Sequence, residues 1–160
     1  MINMSPSKSK LIWLLLFLLA TTACTLQQST RKDEPDVDIF EIERLAIAAY
    51  DIGDMLESEK YYTILVQKIP KETLHWFRLG NIYARTNRPD AAVFAYRESL
   101  IRDPKLVKSW YNMGIVQLKQ AAHSFNELQI NTDSEHPLHE QGEKVFDGIL
   151  GLIKGDKATQ

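Results

Sequence analysis

The stretch from Trp76 to Pro104 constrains this chain more than any other. It reads Trp-x2-Leu-Gly-x2-Tyr over Trp76, Leu79, Gly80 and Tyr83, then Ala-x3-Tyr over Ala92 and Tyr96, then Pro104. Trp76, Leu79, Gly80 and Tyr83 recur at helical spacing and form one apolar stripe. Gly80 removes a side chain in mid-stripe, which suits a place where another helix comes close. Asn87, Arg88 and Pro89 break the run, and Pro89 fits a first helical position. Ala92, Ala95, Tyr96 and Leu100 make a facing stripe. Asp103-Pro104 ends it, because the residue before a proline avoids the α region. The reading is an antiparallel helix pair that cannot bury both of its faces alone.

Neighbours emerge when the register is shifted by 34 residues. Backward, Leu79 maps to Leu45, Gly80 to Ala46, Ala92 to Ser58, Tyr96 to Tyr62 and Pro104 to Pro70. Size classes are kept except at the Trp76 and Tyr83 positions, where Ile42 and Ala49 stand. Asp38 with Glu41 reads as a capping box, Gly53 as a helix stop and Asp54 with Glu57 as a second cap. This gives a first unit over about 39–72, before the central one at 73–106. Forward, Trp76 maps to Trp110, Leu79 to Met113 and Gly80 to Gly114, and then the pattern fails. One reading is a single helix from about Lys105 to Ile130. The other is a shortened repeat in which Ala121 and Phe125 take the Ala-x3-Phe part. The missing breaker residues favour the long helix in this modified unit at 107–131. Residues 132–160 hold a polar loop, a stripe from Leu138 to Ile153, and a short tail. A solenoid end needs a cap, and this last helix is expected to supply it.

The pattern resembles the tetratricopeptide repeat, most closely in the central unit and in Lys108–Gly114. The resemblance implies an all-α fold: a short α-solenoid of two to three helix hairpins, closed here by a C-terminal helix. It also implies a non-catalytic domain that holds a peptide or helix of another protein in a concave groove. In such domains the first helix of each hairpin lines the groove. The outward positions here are Glu43, Ile47 and Tyr50, then Leu74, Phe77, Asn81 and Arg85, then Lys108, Tyr111, Asn112 and Ile115. The expected partner-binding set is Tyr50, Leu74, Phe77, Asn81, Arg85, Lys108, Tyr111 and Asn112. Aromatic anchors suit an apolar peptide, and two Asn amides can bond an extended backbone in both directions. Some family members grip a C-terminal carboxylate with Lys and Asn. Phe77 stands at the lysine place and Lys108 with Asn112 matches only part of that clamp, so none is expected.

The N-terminus reads as an address. Lys8 and Lys10 precede an apolar run from Leu11 to Ala20, followed by Thr21, Thr22, Ala23 and the lone Cys24. A charged segment, a short apolar run and small residues describe a secretory signal, and the run is too short to favour a spanning helix. Ala20-Thr21-Thr22-Ala23-Cys24 resembles the lipobox of bacterial lipoproteins, with Thr21 where a bulky aliphatic residue is usual. The resemblance implies a signal peptide over 1–23, lipid on Cys24 and attachment to a membrane; the alternative is an uncleaved signal anchor with an incidental thiol, which would also be membrane-attached. Thr25, where an Asp would retain such a protein in the inner membrane, points to the outer membrane with the domain facing the periplasm. Residues 24–38 are polar and aperiodic and read as a tether, able to reach roughly 45 Å when extended.

Other chemistries find little support. The net charge is -2 over 160 residues, with no basic excess to suit nucleic acid. One Cys excludes an intramolecular disulfide. No nucleophile motif, phosphate loop or HExxH occurs, so no cofactor or small-molecule substrate is expected. His136 and His139, with Glu135 and Glu140, are the candidate for an alternative metal-binding or catalytic role. His75 and His123 stand alone and read as surface or half-buried residues. The expected function is an assembly scaffold in the bacterial cell envelope, serving pilus, secretion, outer-membrane or cell-wall construction, with self-assembly through a solenoid edge as a further possibility. Cys24→Ser should abolish metabolic labelling by radioactive fatty acid in cells, and labelling that persists would contradict the lipobox.

Overall fold

A computed structural model describes residues 38–157. The signal segment, Cys24 and most of the tether lie outside the described residues. Six helices follow in order: α1 Ile39–Ile52, α2 Met55–Lys68, α3 Thr73–Arg85, α4 Pro89–Arg102, α5 Val107–Ile130 and α6 Pro137–Lys157. No strand occurs among the described residues. Each helix packs on the next in the chain, and α3 also touches α5. The result is a short solenoid of helix hairpins.

The breaks lie where local chemistry demands them. Asp38 Oδ1 accepts from the backbone N–H groups of Phe40 and Glu41 at 3.0 and 3.3 Å. The reciprocal half of the capping box is absent, because Glu41 instead pairs with Arg44 at 2.7 Å. Gly53 closes α1 with φ of 82°, and Asp54 caps α2 through the Glu57 N–H at 3.1 Å. Asn87 adopts a φ of 57° ahead of Arg88, and Pro89 opens α4. Asn tolerates this left-handed backbone better than most residues.

Two overlapping clusters form the core. Ala46, Tyr62, Leu65, Leu79 and Ile82 join α1, α2 and α3, and Ala95 of α4 completes them. Ala92, Tyr96, Leu100, Met113 and Val116 join α4 to α5. Each cluster links adjacent elements, as expected of a quasi-one-dimensional stack. At Gly80 the stack is tightest. A Cβ built there would lie 2.5 Å from Cδ1 and from Cε1 of Tyr96. Further ties cross between units: Ser99 and Ser109 hydroxyls meet at 2.6 Å, Arg88 forks onto Glu59, and Gln120 donates to Asp90 at 2.7 Å.

The repeat also reproduces a tryptophan anchor. Trp76 Nε1 donates to the Pro70 carbonyl at 3.0 Å, and 34 residues on, Trp110 Nε1 donates to the Pro104 carbonyl at 2.9 Å. Their surroundings differ. Phe94 meets Trp76 edge-on with centroids 6.2 Å apart, and the Arg102 guanidinium lies 4.8 Å from its ring. Trp110 is 54% exposed. The reason is α5, which continues unbroken to Ile130 and never turns back to supply a facing helix. Gly114, the counterpart of Gly80, has nothing within 4 Å of its Cβ position. Further along, α6 folds back on α5, with Gly142 against Leu128 and Phe125.

This contrast is measurable. Gly80→Ala should lower stability by about 1–3 kcal/mol, because the added methyl collides with the Tyr96 ring. Gly114→Ala should instead gain up to about 1 kcal/mol of helix propensity. Urea unfolding of both variants, followed by far-UV circular dichroism, would show shifts of opposite sign.

Candidate functional site

Parts of α1, α3 and α5 border an open cavity of about 450 Å³. Tyr50 comes from α1, Asn81 and Arg85 from α3, and Tyr111, Asn112 and Ile115 from α5. Tyr96 of α4, Lys119 of α5 and Ile153 of α6 also line it. Spacing explains the α3 and α5 sets: Asn81 and Arg85 are one turn apart, as are Tyr111 and Ile115.

Tyr96 anchors the polar chemistry. Its ring is clasped at Gly80, the residue is 1% exposed, and its hydroxyl donates to Asn81 Oδ1 at 2.8 Å. Asn112 Nδ2 donates to the same oxygen, also at 2.8 Å. Asn81 and Asn112 therefore form a ladder rung between α3 and α5. With the Asn81 oxygen occupied twice, its amide nitrogen and the Asn112 oxygen remain for a ligand, one donor and one acceptor. An extended peptide presents that same pairing. Burial pushes the Tyr96 phenol up to about 12, against an opposing pull from Asn112, so it stays a neutral donor at physiological pH.

The charge of the cavity is one-sided. Arg85 and Lys119 line it, and among the described residues no carboxylate does. Arg78 and Arg85 hold their guanidinium carbons 4.6 and 5.4 Å from the Tyr50 ring centroid, cation–π contacts worth about 0.5–1 kcal/mol at exposed sites. They steady the aromatic edge of the cavity.

Of the residues expected to face a partner, Tyr50, Asn81, Arg85, Tyr111, Asn112 and Ile115 meet at this cavity. Phe77 is placed differently. Its ring lies 6.1 Å from that of Tyr96 and packs on the second core cluster, because the clasp at Gly80 draws apolar neighbours inward. Leu74 and Lys108 are exposed but do not line the cavity. Glu43 is engaged with His75, whose Nε2 lies 3.2 Å from Glu43 Oε1. His75 itself is a correction: rather than surface or half-buried, it is 2% exposed, beside Tyr62, and its Nδ1 lacks a partner. It is buried because its helix face meets the preceding hairpin.

Lys119 and Ile153 were not legible as site residues. Lys119 lies beyond the point where the repeat pattern fails, and Ile153 depends on how α6 folds back. At the start of α6, the histidines serve local structure. His136 Nδ1 accepts from the Leu138 N–H at 3.2 Å, and His139 Nδ1 lies 3.0 Å from the Thr132 hydroxyl. Among the described residues no group of three or more His, Cys, Asp or Glu side chains is placed to hold a metal. No described helix is long and apolar enough to cross a membrane.

Comparison with known proteins agrees with this geometry at the level of the repeat. Residues 76–106 match the family described as tetratricopeptide repeat. A stretch of 70 residues, 42% of the chain, is 33% identical to the general transcriptional corepressor ssn6 of Schizosaccharomyces pombe. The match spans 6% of that protein's length.

Tyr96 yields a test of the ladder. Its folded pKa lies above the unfolded value near 10, so its contribution to stability is complete below about pH 10 and declines as pH rises toward 12. Tyr96→Phe should flatten that alkaline decline and cost about 1 kcal/mol at neutral pH through the lost hydrogen bond. Thermal unfolding between neutral pH and pH 12 would reveal both effects.

Proposed function

We propose that this protein is a tetratricopeptide-repeat scaffold of the bacterial cell envelope that holds an extended peptide of another envelope protein. Tetratricopeptide repeats are modules of protein–protein interaction, and the repeat over 76–106 carries that general role. The observation that carries the reading is the cavity beside the Asn81–Asn112 rung. Its free amide groups match a peptide backbone, and Tyr111, Ile115 and Ile153 offer an apolar wall. Arg85 and Lys119 favour acidic residues in the bound segment. Lipid on Cys24 would hold the domain at a membrane, with 24–38 as tether. The signal layout supports export, and Thr25 supports the outer membrane. The resemblance to a transcriptional corepressor covers too little of that protein to transfer its role.

In-cell photo-cross-linking tests the reading. A photoreactive amino acid at Tyr111 should capture a discrete envelope protein, whereas the same probe at Lys68, on α2 and outside the cavity, should not. Arg85→Glu with Lys119→Glu should reduce the yield at Tyr111 at least tenfold. Equal capture at both positions, or yield unaffected by the charge reversal, would contradict it.

A further inference from the structure

We propose that copies of this chain associate head to tail, with the exposed face of α1 in one copy docking on the uncovered Trp110–Gly114 face of the next. One face offers an open notch flanked by cations, and the other an exposed aromatic flanked by carboxylates.

The tail face is a first helix without its second. In the central hairpin the Gly80 notch is filled by the Tyr96 ring, and Trp76 is covered by Phe94 and Arg102. At the equivalent place in α5 the Gly114 notch is open and Trp110 is exposed. Ile101 and Val107 extend the apolar surface. Arg97 lines the cleft beside Trp110, and Lys105 stands in the turn before α5. No described carboxylate pairs with either cation.

The head face carries the opposite sign. Phe40 is 84% exposed, and Ile47 and Ile52 are exposed with it. Phe40, Ile47 and Asp51 fall at i, i+7 and i+11 on α1, and so share one stripe. Arg44 on that stripe is neutralised by Glu41, which leaves Asp51 as its unpaired exposed charge, and Asp54, the cap of α2, is exposed in the turn that follows. An aromatic that no described helix covers can thus enter a notch that the repeat builds for an aromatic, while Asp51 and Asp54 approach Arg97 and Lys105. Because the two faces differ, the contact is heterologous and propagates instead of closing as a two-fold dimer. An anionic membrane would also attract the cations, but it makes no use of the open notch or of the acidic head.

Sedimentation of the full chain over a range of concentrations tests this with two surface variants. Phe40→Asp disables the head, and Arg97→Glu with Ile101→Glu disables the tail. The unmodified chain should show a mass that climbs above 18.4 kDa with concentration, and each variant alone should stay monomeric. Mixed in equal amounts, the variants should form a species of twice the chain mass and nothing larger, because each retains one working face. An unmodified chain that stays monomeric, association that survives in either variant alone, or variants that fail to recombine would each overturn the proposal.

Discussion

The clasp of Tyr96 over Gly80 is the contact on which the rest depends. Placing a phenol ring against bare backbone lets α3 and α4 approach closely, and that approach brings Ala92 and Val93 into a closed core. The same ring carries a hydroxyl that reaches the far side of α3, where it fixes Asn81. Asn81 in turn fixes Asn112 on the next first helix. One aromatic residue therefore couples hairpin packing, the spacing between units and the orientation of the polar groups in the cavity. A buried hydroxyl without a partner would be unfavourable by about 1–3 kcal/mol, so the rung is part of the fold as much as of the site.

The second governing fact is that α5 does not turn. Without a Gly, Pro or Asn break between Gln117 and Asn126, the helix runs on for 24 residues. Its first half behaves as the first helix of a repeat, with the tryptophan anchor intact. Its second half serves as the platform for α6. Two consequences follow from this. The last turns of α6 carry Ile153 to the cavity, so the closing helix also walls the candidate site. The face around Trp110 loses the cover that Trp76 enjoys, and the solenoid ends on an apolar, cation-flanked surface.

Much of the helix pattern could be read from single residues. Gly53, the caps at Asp38 and Asp54, and Pro89 each dictate a backbone state or satisfy a specific N–H group, and such local chemistry survives without knowledge of neighbours. Most of the cavity followed from the same periodicity, since Asn81, Arg85, Tyr111 and Asn112 lie on one side of their helices. Phe77 packs towards the core and off the cavity, a distinction that a helical wheel, which gives direction only to within a wide arc, does not draw. His75 went unrecognised as a buried group because the partner that receives it, Glu43, lies on a helix 32 residues earlier.

The sequence by itself determined where helices start and stop, the 34-residue register and the tight place at Gly80, because these depend on steric and hydrogen-bonding properties of a few adjacent residues. It also set the missing turn in α5. Only the tertiary structure decided that the Tyr96 hydroxyl joins Asn81 and Asn112 into one rung, that α6 brings Ile153 to the cavity, and that Trp110 is left uncovered while Trp76 is not. These are relations between helices whose approach is set by packing over the whole stack, and no local pattern encodes such distances.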